Sequence, residues 1–330
     1  MKSDALISTI DTHTAGGPTR IVTAGLPLLS GGTAAERMLD FQTNHDFLRK
    51  LLLNEPRGHK DMYSAVIGPS HDPKADLSVF FMTTQGYLST CVHSSMGVAA
   101  ALLADASLQL RPDGNVYFDT PGGLVCLTPV YNENRLAEIR LRTKAGFIYD
   151  PKGKVDLDGK SIHAPIVFCG VFFLLIDTNQ FGRPARREHL PFFVEMGKTL
   201  LEKANRQVSV LHPKIPTAKS ISLALFYDQR TERGFRDIVI GQAGGVDRSP
   251  CGAGSGALAV YQHATGNLQE GEALMVEGVI GTSFQVRIVG AENVDTYSGC
   301  IPEVSGNAWI TGYHQFILDE SDPLREGFTL

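Results

Sequence analysis

Short runs rich in apolar and β-branched residues recur along the chain: RIVTAGL, LSVFFMTT, NVYFDT, GLVCLTPV, IVFCGVFFLLID, SISLALFY and FRDIVIGQA. Each is closed by Gly, Pro, Asn or Asp, so each predicts a β-strand. Helical spacing is rarer. Met38, Phe41, Leu48 and Leu52 share one side of a helix expected over residues 34–54, with NEPRG as its stop. Phe193, Met196 and Leu200 do the same over residues 191–205, where Pro191 suits a first helical position. Residues 98–104 and 257–263 are short, Ala/Leu-rich and nearly uncharged. Helices apolar all round are buried, so these two are expected inside the protein.

Each half of the chain thus offers several strands, one surface helix and one buried helix. This predicts an α+β protein of two similar lobes, each a curled mixed β-sheet around a central helix. The lobe boundary is expected near RTKAGFIYD, at residues 144–151, where a polar strand ends and a Lys/Asp/Gly-rich turn follows. The expected domains are 1–146 and 147–307, with residues 308–330 completing the N-terminal lobe.

Composition narrows the function. With 330 residues, 43% of them hydrophobic and 20% charged, the chain can bury one large core or two ordinary ones. A formal charge of −5 and scattered Lys and Arg give no surface that would track phosphates, so nucleic acid is not an expected partner. The start, MKSDALISTIDTHTAGG, lacks the layout of a secretion signal. The longest apolar run, residues 166–176, falls short of the roughly 20 residues a membrane span needs. The expectation is a cytoplasmic protein without a membrane partner.

Cysteine placement supplies the candidate chemistry. Cys91 in TCVHSSMGVAAAL and Cys251 in SPCGAGSGALAV each precede small residues and then a buried-helix segment. The other three, Cys126, Cys169 and Cys300, read as small buried hydrophobes, and no C-x-x-C pair indicates zinc or a disulfide framework. A helix N-terminus presents unpaired N–H groups and partial positive charge, which favour a thiolate and can hold a carboxylate. Two such termini facing one α-amino or imino acid would put one sulfur on each face of its Cα. One thiolate could remove the α-proton while the other thiol returns one, inverting the centre. A single nucleophilic cysteine with His93 as base is the competing chemistry.

These residues resemble the proline racemase family, on DTHTAGGPTRIV, PRGHKDMYSAVIGP, GYLSTCVH, FDTPGGLV, DRSPCGAGSGA and IPEVSGNAWITGYHQFILDESDPLREGF. The resemblance implies the two-lobed fold also found in diaminopimelate epimerase, with the active site in the cleft between lobes. It implies acid/base catalysis by Cys91 and Cys251 with neither cofactor nor metal. His93 and Asp247 would hold the substrate's ring nitrogen. Backbone N–H groups of Val92 and His93, and of Gly252 and Ala253, would cradle its carboxylate. A homodimer is compatible with the resemblance. Where the family commonly has CGHG this chain has CVHS, so Val92, Ser94 and Ser255 are expected pocket neighbours. Dehydratases of the family typically carry Ser or Thr at the first cysteine position, whereas Cys91 stands here.

The expected activity is therefore 4-hydroxyproline 2-epimerisation, with proline racemase and trans-3-hydroxy-L-proline dehydratase as alternatives and an imino-acid binding protein as the non-enzymatic one. Gly252, Gly254 and Ala257 match a G-x-G-x-x-A spacing, but no strand leads directly into them, which argues against a dinucleotide site. His13 and His59 stand apart and read as hydrogen-bonded core residues. The basic stretch around Arg183 and Arg187 reads as a solvated turn.

Overall fold

The strand Gly17–Ala24 runs parallel to Tyr63–Gly68, and a parallel neighbour needs a crossover rather than a hairpin. Helices α1 (Ala34–Asn44) and α2 (Asp46–Leu53) make that crossover. Tyr63–Gly68 then pairs antiparallel with Leu77–Thr83, and helix α3 (Val92–Ala104) carries the chain to Val116–Thr120, parallel again. The same order of moves recurs later. Val171–Asp177 crosses through α4 (Leu190–Gln207) to the parallel strand Ile221–Thr231. That strand pairs antiparallel with Gly234–Gly241, and α5 (Gly252–Ala264) leads to the parallel strand Ala273–Glu277. The fold is α+β with mixed sheets, and its two halves repeat one topology.

The computed structural model describes residues 5–330. One unit comprises those up to Leu141 together with Asn307–Leu330, and the other comprises Arg142–Gly306. Ala308–Leu318 enters the first unit by pairing antiparallel with Ala5–Thr14. Gly146–Asp150 pairs with Ile166–Cys169 and with Gly299–Gly306, so it belongs to the second unit. Through Ser283–Ala291, which joins Ala273–Glu277 to Gly299–Gly306, the strands of that unit close on themselves.

Amphipathic outer helices and apolar inner ones explain the layers. Phe41, Leu48, Leu51 and Leu52 of α1 and α2 pack on Val22, Val66 and Phe80 in the first unit. Phe193, Leu200 and Leu201 of α4 pack on Phe226, Ile238 and Ile240 in the second. Helices α3 and α5 are buried along His93–Leu102 and along most of Gly252–Val260. Each has a glycine where a strand passes closely: a Cβ on Gly97 would lie 2.5 Å from Thr12 Oγ1, and one on Gly256 would lie 2.8 Å from Cys169 Sγ.

The single helix expected over residues 34–54 is two. His45, at φ −135° and ψ 15°, ends α1 and its amide caps Phe41 O. Leu51, Leu52 and Leu53 at the end of α2 are all buried. The inner helices begin six and five residues earlier than expected, directly after their cysteines. No helix among the described residues is long and apolar enough to cross a membrane.

Candidate active site

In the first unit Cys91 is the N-cap of α3, in extended backbone at φ −150° and ψ 112°. Its carbonyl accepts the Ser95 amide at 3.0 Å and the Ser95 hydroxyl at 2.7 Å, which anchors the first turn. Its sulfur makes no capping bond to a helix amide. Instead Sγ lies 3.2 Å from Ser94 Oγ and 3.6 Å from His93 Nδ1. Thr19 Oγ1 donates to Ser94 Oγ at 3.0 Å, and Thr14 Oγ1 donates to His93 O at 2.8 Å. Tyr63 meets the His93 ring edge-on with centroids 4.6 Å apart. Burial would push the Cys91 thiol up. The charge and hydrogen bond of His93, with hydrogen bonds from Ser94, outweigh it and hold the thiol below its ordinary value.

In the second unit Cys251 caps α5, but at φ +46° and ψ 101°. A side chain held in that left-handed region costs on the order of 1–3 kcal/mol, strain found at functional positions. The Gly254 amide donates to its sulfur at 3.4 Å, and the Ser255 amide donates to its carbonyl at 2.7 Å. Asp247 precedes it in a turn where Oδ1 accepts both the amide and the hydroxyl of Ser249, at 3.0 and 2.9 Å. Burial pushes the Cys251 thiol well above its ordinary value, and the Asp247 carboxylate adds to the push; the Gly254 amide opposes it. Asp237, 1% exposed, has Oδ2 buried without a partner, and its carboxyl is raised by burial and by Asp247.

The two capping cysteines therefore sit in opposite electrostatic settings. The Cys91 thiol is held below its ordinary value and the Cys251 thiol above it.

The residues singled out in the sequence fall into two groups. Cys91, Val92 and His93 form the first turn of α3, and Cys251, Gly252 and Ala253 form that of α5, with Asp247 just before it. The Val92, His93, Gly252 and Ala253 amides lie in the first turns, where helix N–H groups lack intrahelical partners. Ser255 is fully buried and its hydroxyl donates to Pro250 O, so it is tied to the helix start. Cys169 and Cys300 are buried, but Cys126 is half-exposed on the strand Gly123–Asn132, because that strand keeps only part of each face covered. His13, half-buried, stacks on Trp309 and accepts the Gly16 amide, and His59 accepts the Asp61 amide but is exposed rather than in the core. Among the described residues no group of three or more His, Cys, Asp or Glu side chains could hold a metal ion. Of the apparent dinucleotide spacing, Gly254 serves the Cys251 sulfur; Gly256, outside that spacing, allows the approach to Cys169.

Thr19 and Asp237 were not singled out in the sequence. Asp237 carried a signal, since a carboxylate in FRDIVIG shares the phase of Phe235 and Val239, which are core residues. Thr19 carried none, because its partner lies 75 residues away in the chain.

Known proteins agree with this architecture along its whole length. The sequence profile of the family described as Proline racemase matches residues 9–329. A proline racemase from Acetoanaerobium sticklandii is 33% identical, covering all of both chains. A trans-3-hydroxy-L-proline dehydratase from Bacillus cereus is 31% identical, again covering all of both. The crystal structure of a hydroxyproline epimerase from Agrobacterium vitis, with bound trans-4-hydroxy-L-proline, superposes with a TM-score of 0.91 at 27% identity, covering 100% of this chain and 97% of that one. With a matching profile, full-length relatives and two buried helices each led by a cysteine, the chain belongs to the proline racemase family, enzymes of the racemase and epimerase class.

Proposed function

We propose that this enzyme epimerises 4-hydroxyproline at Cα, interconverting trans-4-hydroxy-L-proline and cis-4-hydroxy-D-proline, with Cys91 and Cys251 as its acid/base pair. The observation that carries the reading is that Cys91 and Cys251 are the N-caps of the two buried helices α3 and α5; the shifts of the two thiols in opposite directions are consistent with it. In the resting enzyme the Cys91 thiolate accepts the α-proton, and the Cys251 thiol delivers its own to the opposite face. The new pair, a Cys91 thiol and a Cys251 thiolate, runs the reverse direction.

The developing negative charge spreads from Cα into the substrate carboxylate. First-turn amides of α3 and α5 are suited to hold that charge, because fixed donors need no reorganisation as it grows. Asp247, with Oδ1 held by Ser249, offers its other oxygen to the ring ammonium. A cationic nitrogen kept beside Cα favours loss of the α-proton. His93 adjoins the Cys91 sulfur in the free enzyme, so it supports the thiolate as well as bordering the ring nitrogen.

The choice of 4-hydroxyproline is supported by the Agrobacterium vitis epimerase with its bound trans-4-hydroxy-L-proline. Proline racemisation is the second reading, favoured by the 33% identity to the Acetoanaerobium sticklandii racemase over full length. Dehydration of trans-3-hydroxy-L-proline needs one base and leaves the second cysteine without a task.

Proton NMR in D₂O tests this with trans-4-hydroxy-L-proline, L-proline and trans-3-hydroxy-L-proline in parallel. The expected result is deuterium at Cα together with the cis-4-hydroxy-D-proline signals, fastest for the 4-hydroxy compound. Faster exchange of L-proline would replace the epimerase reading with the racemase one. Water loss from the 3-hydroxy compound, or no exchange in any of the three, would overturn the two-base mechanism.

A further inference from the structure

We propose that Ser94 is a positioning residue for Cys91: its hydroxyl, pinned by Thr19, hydrogen-bonds the Cys91 sulfur in both of the protonation states that acid/base catalysis requires. The inference deepens the reading of Cys91 as an acid/base and rests on it.

The two sulfurs meet a polar partner at the same place in the helix in different ways. Three residues past Cys251 stands Gly254, whose backbone amide reaches the sulfur at 3.4 Å. Three residues past Cys91 stands Ser94, whose hydroxyl oxygen lies 3.2 Å from Sγ and accepts from the thiol. A side-chain donor can turn its hydrogen, whereas an amide cannot.

Ser94 and Thr19 are both 0% exposed, so water does not compete for the hydroxyl. Thr19 Oγ1 donates to Ser94 Oγ at 3.0 Å, which satisfies one lone pair and leaves the serine's own hydrogen for another acceptor. A serine inside a helix ordinarily returns that hydrogen to a carbonyl one turn back. The neighbouring Ser95 does so, donating to Cys91 O at 2.7 Å, while Ser94 faces the sulfur. With Cys91 a thiolate, the Ser94 O–H donates to Sγ. With Cys91 a thiol, the S–H donates to Ser94 Oγ. Ser94 keeps its own proton throughout, so only the direction of the hydrogen bond changes. Hydrogen bonds to a charged acceptor are the strong ones, so the thiolate gains more than the thiol. The lowering of the Cys91 thiol by Ser94 has the same sign.

The test uses the folded enzyme without substrate. The rate of Cys91 alkylation by iodoacetamide is followed against pH in the Cys251→Ser background, with the modified peptide identified by mass. Ser94→Ala should move the midpoint up by about one pH unit. Thr19→Val, nearly isosteric, should move it the same way by less, and Thr19→Ser should restore it. In the enzyme with both cysteines, the acid limb of kcat/KM for epimerisation should move up with the alkylation midpoint. A Ser94→Ala protein with unchanged melting and an unmoved midpoint overturns the proposal. So does a fall in activity at unchanged pH profile, because that is what lost packing alone would give. Alkylation needs no turnover, so a shifted midpoint in an enzyme that exchanges no imino acid would uphold the Ser94–Cys91 link and overturn the proposed reaction instead.

Discussion

The backbone amide of Gly254 donates to the Cys251 sulfur at 3.4 Å, and it does so across a cysteine backbone held at φ +46°. Glycine would relieve that backbone, yet a cysteine occupies the position. The side chain held there is a thiol that burial and Asp247 push well above its ordinary value.

Replacing either sulfur by oxygen should stop inversion without unfolding the protein. Cys91→Ser and Cys251→Ser are each expected to lower epimerisation by about 10²–10⁴-fold, the usual weight of a positioned acid or base. Chiral chromatography of the product and thermal melting of each variant check both halves. Near-full epimerisation in either single variant would sink the two-thiol mechanism.

The Asp247 carboxylate should set where the enzyme fails at high pH. In the proposed reaction Cys251 acts from its protonated form, which is lost as pH rises through its raised value. Asp247→Asn removes a charge that helps to raise it, so the Cys251 thiol should deprotonate at lower pH. Iodoacetamide alkylation of Cys251 in the Cys91→Ser protein should show the midpoint moving down. An unmoved or rising midpoint would contradict that electrostatic link.

Asp237 is a stability liability that grows with pH. Its carboxyl is raised in the folded protein, so the folded state holds a proton that the unfolded chain loses. Stability on this account is fully present below the unfolded value and declines as pH rises above it toward the folded one. Asp237→Asn should melt a few degrees higher than the parent at pH 8, and the gap should close as the pH falls below about 4. Melting curves across that range decide it.

Gly256 and Cys169 should be coupled. A Cβ at Gly256 would lie 2.8 Å from Cys169 Sγ, so Gly256→Ala is expected to cost about 1–3 kcal/mol by overpacking. Combined with Cys169→Ala, which makes room at that contact, the loss should be smaller than the sum of the two single changes. Urea unfolding of the four proteins measures the coupling, and simple additivity would show that α5 shifts freely.

Arg20 should not tolerate lysine. Its guanidinium meets both oxygens of Asp11, the nearer at 2.8 Å, and the carbonyls of Leu52 and Arg57 at 2.6 and 2.7 Å, all with little exposure. An ammonium cannot make that fork, so Arg20→Lys is expected to cost about 2–4 kcal/mol in urea unfolding. A loss below about 1 kcal/mol would mean that the buried pair is dispensable.

The sequence by itself determined the local elements and the places where chemistry enters them. Apolar runs closed by Gly, Pro, Asn or Asp became strands, and the uncharged segments after Cys91 and Cys251 became buried helices, because side-chain periodicity records which faces must leave water. Family motifs such as DRSPCG likewise lie within short stretches of chain. The tertiary structure decided the rest. It broke one expected helix at His45, paired Gly146–Asp150 with Gly299–Gly306, and brought Thr19 to Ser94 from 75 residues away. It also shifted the thiols of two cysteines in similar sequence settings in opposite directions. Periodicity cannot carry such information, since an acid's strength depends on burial and on the geometry of nearby charges and donors: His93, Ser94 and Asp247 are close in sequence, but the burial of each sulfur and the approach of Asp237 come only with folding.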